Sequence, residues 1–200
     1  MNTIKGETIN TLIINKSTFT TYLKNVDSVT DAKAYVNHVK SLHPDATHHV
    51  VVMTIGKTGE YGQCNDDGEP SGTAGMPILD VFRKNDLTNF VCIVVRYFGG
   101  IKLGAGGLVR AYSKSASTAL SMSEITPIIT YKTILLTFAY PYLDIIENRL
   151  QNYQVLSKSF TQGVSYLIKV PTYEVEMVVS LLVTLTNNAI TININDEKDQ

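Results

Sequence analysis

Glycine is distributed unevenly along this 200-residue chain, and its distribution constrains the fold more than any other feature of the sequence. Eleven of the 13 glycines lie between Gly56 and Gly107, and only Gly163 follows them. Glycine favours turns and lets backbones approach closely, so the chain changes character after Gly107. Pro127 then interrupts a helical pattern before a new strand-like run begins, which predicts two domains, 1–128 and 129–200.

Hydrophobic patterns predict both strands and helices in the first domain. One or two strands precede Val26, and the apolar runs 50–55 and 90–96 predict two more. Ser28 is expected to cap a helix, because Asp31 follows three residues later and apolar residues recur at helical spacing. Two further helices are predicted, over 76–84 and around 108–120.

The second domain has the element order βαββαβ, which predicts a ferredoxin-like module. Strands are expected over 131–139, 154–160, 164–170 and 189–194, with one helix after Pro141 and another after Pro171. The acidic tail 196–200 is expected to fray.

Composition excludes several classes of protein. The formal net charge is -1, so binding to nucleic acid must depend on a local basic patch. Cys64 and Cys92 are too few for a disulfide framework or a cysteine-rich zinc site. The N-terminus lacks the apolar stretch of a signal peptide, and no apolar run is long enough to span a membrane, so we expect a cytoplasmic protein.

The segment 65–75 is rich in side-chain oxygens and leads into a predicted helix. Turn chemistry explains most of these residues, with Ser71 or Thr73 capping the helix. Alternatively, the three carboxylates within four positions could hold Mg²⁺, joined by His48 or His49. The spacing matches neither a calcium loop nor a zinc motif, so we expect no metal. The predicted polar cluster is His48, Asp66, Asp67, Glu69, Ser71 and Thr73.

The segment 96–110 follows an apolar strand and opens a helix. Its glycines free the backbone for close approach, and amide groups at a helix start attract anions, which favours a phosphate ligand. The standard nucleotide motifs are absent. Alternatively, Arg96 and Arg110 pair with the carboxylates of the earlier segment. The predicted anion- or nucleic-acid-binding residues are Arg96, Gly99, Gly100, Lys102, Gly104, Gly106, Gly107 and Arg110.

The two segments together resemble the Impact/YigZ family. The matching residues are Asp66-Asp67-Gly68-Glu69-Pro70-Ser71-Gly72-Thr73-Ala74-Gly75, Arg96-Tyr97-Phe98-Gly99-Gly100 and Leu108-Val109-Arg110-Ala111-Tyr112. The resemblance implies an α+β chain with a two-layer first domain similar to ribosomal-protein and elongation-factor-G domains. It implies a second domain similar to the last domain of that factor. Eukaryotic members regulate translation, so RNA, the ribosome or a translation-related protein is the implied partner.

Two functions from different classes follow from these observations. The first is a non-catalytic binding protein, a translation- or stress-related regulator that uses the glycine-rich face and needs no cofactor. The alternative is an enzyme acting on a phosphate-bearing small molecule or nucleotide. No catalytic residue is identified, because Ser71, Thr73 and Cys64 have no base nearby in the sequence except His48.

Overall fold

A computed structural model describes residues 1–161 and 163–196, apart from the side chain of Asp196. The acidic tail predicted from the sequence therefore lies, beyond that residue, outside the described part of the chain. The backbone divides into two compact units, Met1–Ile128 and the residues from Ile129 onward. Within the described residues, no helix has both the length and the apolar character needed to cross a membrane.

The first unit is built on a five-stranded sheet in which every neighbouring pair of strands is antiparallel. The strand order is β2-β3-β6-β4-β5, and β1 and β7 form a separate two-stranded sheet. The elements are β1 (Asn2–Lys5), β2 (Glu7–Ile14), β3 (Ser17–Asn25), α1 (Val29–Leu42), β4 (His48–Ile55), β5 (Tyr61–Cys64), α2 (Gly75–Arg83), β6 (Phe90–Tyr97), α3 (Ala105–Ser121) and β7 (Glu124–Pro127).

Strand β6 is the central strand and is buried on both faces. One face, with Phe90, Cys92 and Val94, packs in the same core as α2 and α3. The other face, with Val91, Ile93 and Val95, packs in the core that contains α1. The first unit therefore has three layers, which differs from the two layers that the family resemblance implies. A strand that is apolar at every position needs a cover on each face, and the helices supply both covers.

Strand β6 begins with apolar core residues and has a polar residue, Arg96, near its end. Arg96 lies on the same face as Cys92 and Val94, because residues two apart in a strand share a face. His48 of β4 lies directly opposite Arg96 in the ladder. The sheet thus places these two side chains next to each other on the face covered by α2 and α3.

The second unit has the element order predicted from the sequence. Its four strands form an antiparallel sheet in the order β11-β8-β10-β9, and its own core lies between one face of that sheet and the helices. The elements are β8 (Tyr131–Phe138), α4 (Leu143–Leu150), β9 (Gln154–Phe160), β10 (Val164–Pro171), α5 (Val175–Leu185) and β11 (Ile190–Asp196).

We predict that a chain of residues 1–128 folds by itself, because the apolar clusters of the two units share no residue. Circular dichroism should show a single cooperative thermal transition for this truncated chain. A soluble chain without such a transition would contradict the prediction.

Candidate functional site on the glycine-rich face

Glu69 joins the first glycine-rich segment to the sheet and to α3. Its Oε1 accepts a hydrogen bond from Nη1 of Arg96 at 2.6 Å and one from the Tyr112 hydroxyl at 2.6 Å. The three residues are 8%, 4% and 0% exposed, respectively. The carboxylate is thus held by one positive and one neutral donor in a nearly dry environment, where hydrogen bonds to charged groups are strong.

Burial raises the pKa of the Tyr112 hydroxyl, and its hydrogen bond to Glu69 raises it further. The hydroxyl therefore remains a donor. The guanidinium of Arg96 lies near the rings of Phe19 and Phe98, at 5.4 and 5.7 Å from their centroids. Its Nη2 donates to Ser17 Oγ at 3.4 Å. Arg96 therefore lies inside the first unit instead of on the anion-binding surface that the sequence predicts for it.

His48 lies beside Glu69 with its tautomer set by the backbone. Its Nδ1 is 2.7 Å from the carbonyl oxygen of Asp67, which only accepts, so Nδ1 carries a proton. Its Nε2 is 3.7 Å from Oε2 of Glu69. The neighbouring His49 lies on the other face, where its Nε2 is 3.0 Å from the carbonyl oxygen of His43. Of the two histidines, only His48 belongs to the polar cluster.

Asp66 caps helix α2. Its Oδ1 accepts from the amides of Ala74 and Gly75, at 3.0 and 2.8 Å, and its Oδ2 accepts from Gly72 at 2.8 Å. Partial burial opposes ionisation, but the three amide donors outweigh it and hold the pKa of Asp66 below its usual value. A carboxylate at a helix N-terminus is also favoured by the helix dipole.

The sequence-based expectation that Ser71 or Thr73 caps this helix is wrong. The Thr73 hydroxyl donates instead to the Pro70 carbonyl at 2.6 Å, and α2 has no side-chain cap at its own N-cap residue, Ala74. Asp66 takes this role from eight residues before Ala74 because the intervening loop folds back over the helix start.

The three carboxylates point to three different partners, so they do not form the shared magnesium site considered from the sequence. Asp66 binds the amides of α2, and Asp67 accepts from the His49 amide at 2.6 Å. Glu69 is held by Arg96 and Tyr112. Among the described residues, no group of three or more His, Cys, Asp or Glu side chains is placed to hold a metal ion.

The second glycine-rich segment rests on the turn between β2 and β3. The Gly99 amide donates to Ser17 Oγ at 3.2 Å. A Cβ at Gly99 would lie 2.0 Å from the carbonyl carbon of Lys16, which is far inside contact distance. Only glycine permits this approach, and the contact fixes the start of the loop that leads to α3.

The N-terminus of α3 is open. Its N-cap residue is Gly104, with φ of 70° and no side chain to act as a cap, and among the described residues no other side chain is seen to accept from the amides at the helix start. The Leu108 amide bonds to the Gly104 carbonyl, which leaves the amides of Ala105, Gly106 and Gly107 ahead of the first regular helical bond. These three amides are the kind of donors that bind phosphate or carboxylate at helix starts.

Two cations flank this helix start. Lys102 and Arg110 are both exposed, and neither forms an ion pair with another residue in the described part of the chain. Nη1 of Arg110 lies 3.6 Å from the position that a Cβ on Gly106 would occupy, so the guanidinium lies back over the first turn. Of the three predicted cations, Arg96 alone forms an internal ion pair among the described residues. The expectation that at least one of them presents its charge to an anionic ligand stays a prediction.

The sequence-predicted residues differ in burial. Glu69, Thr73 and Arg96 are buried, His48 and Asp66 are partly buried, and Asp67, Ser71 and most of the loop before α3 are exposed. Three contributors were missed: Tyr112, Ser17 and Phe98. Tyr112 lies within the helix predicted around 108–120, where nothing in the sequence pattern distinguishes its hydroxyl from a packing group. The family motif that ends at this tyrosine was the one signal available.

Comparisons with known proteins show the family of this chain. The family model of the Impact N-terminal domain matches residues 15–120, which include both glycine-rich segments. The IMPACT family member YvyE of Bacillus subtilis is 36% identical over 187 residues, which cover 92% of this chain and 86% of that protein. YigZ of Escherichia coli, also an IMPACT family member, is 43% identical over 123 residues, which cover 59% of this chain and 60% of YigZ.

A crystal structure described as that of a hypothetical protein is similar over 98% of both chains, with 30% identity and a TM-score of 0.63. Fold and site thus define a mixed α/β protein with an Impact-type first unit. The chain belongs to the Impact family, as its resemblance to Impact/YigZ proteins predicts.

We predict that Glu69→Ala destabilises the first unit by about 3–5 kcal/mol, because it leaves the Arg96 charge buried without its partner. Chemical denaturation should show that the double variant Glu69→Leu/Arg96→Met recovers most of this loss. Glu124→Ala is the control: it breaks the exposed ion pair with Lys5 and should cost less than about 1 kcal/mol. Equal losses from Glu69→Ala and Glu124→Ala would contradict the prediction.

We predict that Asp66→Asn lowers the free energy of unfolding by about 1 kcal/mol at neutral pH, because it removes the charge that caps α2. Since the folded-state pKa of Asp66 is lowered, the ionised cap contributes fully above the unfolded pKa and is lost as pH falls through the folded pKa. The wild-type and variant stabilities should therefore converge in acid. Asp45→Asn, at an exposed carboxylate, should show neither effect. A pH-independent difference for Asp66→Asn would count against the assignment.

Proposed function

We propose that this protein is a non-catalytic regulator of translation or of a stress response that binds RNA, free or within the ribosome. The binding surface is the start of α3 with the loop before it. The observation that carries the proposal is an uncapped helix N-terminus flanked by Lys102 and Arg110, two exposed cations without ion-pair partners among the described residues.

A comparison of the starts of α2 and α3 supports a phosphate ligand at α3. The amides before α2 are occupied by the carboxylate of Asp66, which shows that such amides bind an anion in this protein. The start of α3 has equivalent amides, but no side chain in the described part of the chain occupies them. An external anion therefore fits the second site, and a phosphate group suits both the amides and the cations.

Phe98 adds an aromatic surface beside the loop. Its side chain is 47% exposed, while the guanidinium of Arg96 lies 5.7 Å from its ring centroid. A half-exposed ring next to a phosphate-binding loop suits an unpaired base, because aromatic rings stack on bases without regard to sequence. This favours single-stranded RNA over a duplex as the ligand.

Family membership supports a regulatory role. We also propose that the first unit is similar to ribosomal-protein and elongation-factor-G domains. The second unit is then similar to the last domain of elongation factor G. The proposal also includes a cytoplasmic location, where RNA and ribosomes are found. These analogies bear on the ligand class, and the site itself carries the chemistry.

The enzymatic alternative is less favoured by the contacts in the polar cluster. Among the described residues, no hydrogen bond joins His48 to Ser71, Thr73 or Cys64, so no activated nucleophile forms. Burial is the main cause that raises the pKa of the Cys64 thiol, which disfavours the reactive thiolate. The buried carboxylate of Glu69 is paired with the guanidinium of Arg96, and this pair has a structural role.

We predict that Lys102→Ala and Arg110→Ala each weaken binding to a single-stranded RNA and reduce the magnitude of its salt slope by about 0.7 per lost phosphate contact. Fluorescence anisotropy over a series of salt concentrations measures both quantities. Lys33→Ala removes the same charge from α1, in the layer on the other side of the sheet, and is the matched control.

Two results would oppose the proposal. Absence of RNA binding at low salt would remove its basis, and equal effects of Lys33→Ala and Lys102→Ala would show that the attraction is not local. A saturable site for a free nucleotide, with no affinity for RNA, would instead favour the enzymatic alternative.

A further inference from the structure

Strand β2 forms one outer edge of the five-stranded sheet. All eight of its residues pair with β3 in one unbroken register, from Glu7 opposite Lys24 to Ile14 opposite Ser17. Within the described residues, no strand pairs with its other side. The strand therefore presents a long, regular row of backbone donors and acceptors.

The turn after β2 determines which residues face outward. Asn15 and Lys16 have φ of 46° and 65°, the two positive values of a two-residue type I′ turn. In such a hairpin the closing pair, Ile14 and Ser17, is hydrogen-bonded, and hydrogen-bonded pairs recur at every second residue. The amides and carbonyls of the odd-numbered residues, Glu7, Ile9, Thr11 and Ile13, therefore point away from β3.

This edge lacks the features that usually protect an outer strand. Strand β2 contains no lysine, no proline and no bulge, and its one charged side chain, Glu7, accepts a hydrogen bond from Tyr35. Two isoleucines, Ile9 and Ile13, are 50% and 76% exposed. An apolar, regular edge of this kind favours addition of another strand.

We propose that β2 pairs with β2 of a second copy of this protein, which joins two five-stranded sheets into one of ten strands. An antiparallel pair related by a two-fold axis keeps like faces of the two sheets on the same side, so residues of equal parity lie opposite each other. The two β2 strands can hydrogen-bond only through the backbone groups that point away from β3. The hydrogen-bonded residues that lie opposite each other are therefore odd-numbered in both copies.

One register obeys the two-fold symmetry, pairs odd-numbered residues with each other and also covers the exposed isoleucines. It places the two-fold axis at Thr11, so that Thr11 faces its own copy and Ile9 faces Ile13 of the second copy. Moving the pairing by one step places Glu7 opposite Ile13 in one direction. In the other direction it leaves Ile9 opposite the turn residue Asn15.

The self-complementary pattern makes a second copy the expected occupant. The register at Thr11 gives two cross-strand isoleucine pairs and places Glu7 opposite the Asn15 amide of the other copy, beside its exposed Lys16. Opposite charges therefore meet at each end of the interface and apolar pairs lie near its middle. This interface uses the edge of the sheet and does not depend on the proposed RNA ligand.

Sedimentation equilibrium of the full chain tests the inference. We expect a mass that approaches twice 22.1 kDa as the protein concentration rises. Thr11→Pro removes an outward-facing amide and leaves the backbone hydrogen bonds between β2 and β3 in place, with loss of the exposed side-chain bond to Thr20. Ile13→Lys places a charge against Ile9. Both variants should remain monomeric, with circular dichroism confirming that they fold. Tyr173→Lys, at an exposed side chain of the second unit, should dimerise like the wild type.

Cross-linking tests the register. In a Cys64→Ser background, Thr11→Cys should form a disulfide-linked dimer on mild oxidation, because hydrogen-bonded antiparallel partners have Cα atoms about 5.5 Å apart, within the range for a disulfide. Thr20→Cys, opposite Thr11 on β3, should not cross-link. The inference is overturned if the wild type remains monomeric, if both β2 variants still dimerise, or if Thr20→Cys cross-links as readily as Thr11→Cys.

Discussion

The buried hydrogen bonds of Glu69 are the interaction on which the glycine-rich face depends. A buried ion pair adds little net stability compared with apolar packing, because desolvation offsets most of the attraction. Its stronger effect here is on geometry: one carboxylate fixes the loop before α2 against both the central strand and α3. The position of α3 determines where its open start lies, so an internal ion pair sets the geometry of an external surface.

Two helices on this face begin with backbone amides that attract an anion. The chain supplies the anion at the start of α2 but not, among the described residues, at the start of α3. At α2 the chain supplies its own carboxylate from Asp66, and the helix start is closed. At α3 the N-cap residue is Gly104, which has no side chain that could act as a cap, and no side chain among the described residues takes the role that Asp66 has at α2. The two helix starts therefore have different capacities for ligands, although both begin with glycine-rich sequence.

Local patterns predicted the regular elements well. The apolar run 90–96 is the central strand, and Ser28 caps α1 by accepting from the Asp31 amide at 3.0 Å. Short elements were missed, since β5 and β7 have four residues each and contain Gly62 and Pro127, which weaken a strand pattern.

The candidate site was predicted less well, because its contacts are made between distant parts of the chain. The sequence showed that Arg96 and three carboxylates were close enough to pair. The choice of Glu69 depends on how the loop packs beneath α3, and local patterns carry no information about that packing. The two-layer expectation came from the family resemblance. Local patterns do not show which helix covers each face of the strand predicted over 90–96, so they could not correct it.

The neighbouring glycines at the start of the loop are constrained in different ways. Gly99 has no room, since a side chain would collide with the backbone of Lys16, which cannot rotate aside. Gly100 has open space around it, but its φ of 82° disfavours residues with a Cβ. Asparagine adopts such angles more readily than most residues. It can therefore replace Gly100, but it cannot replace Gly99.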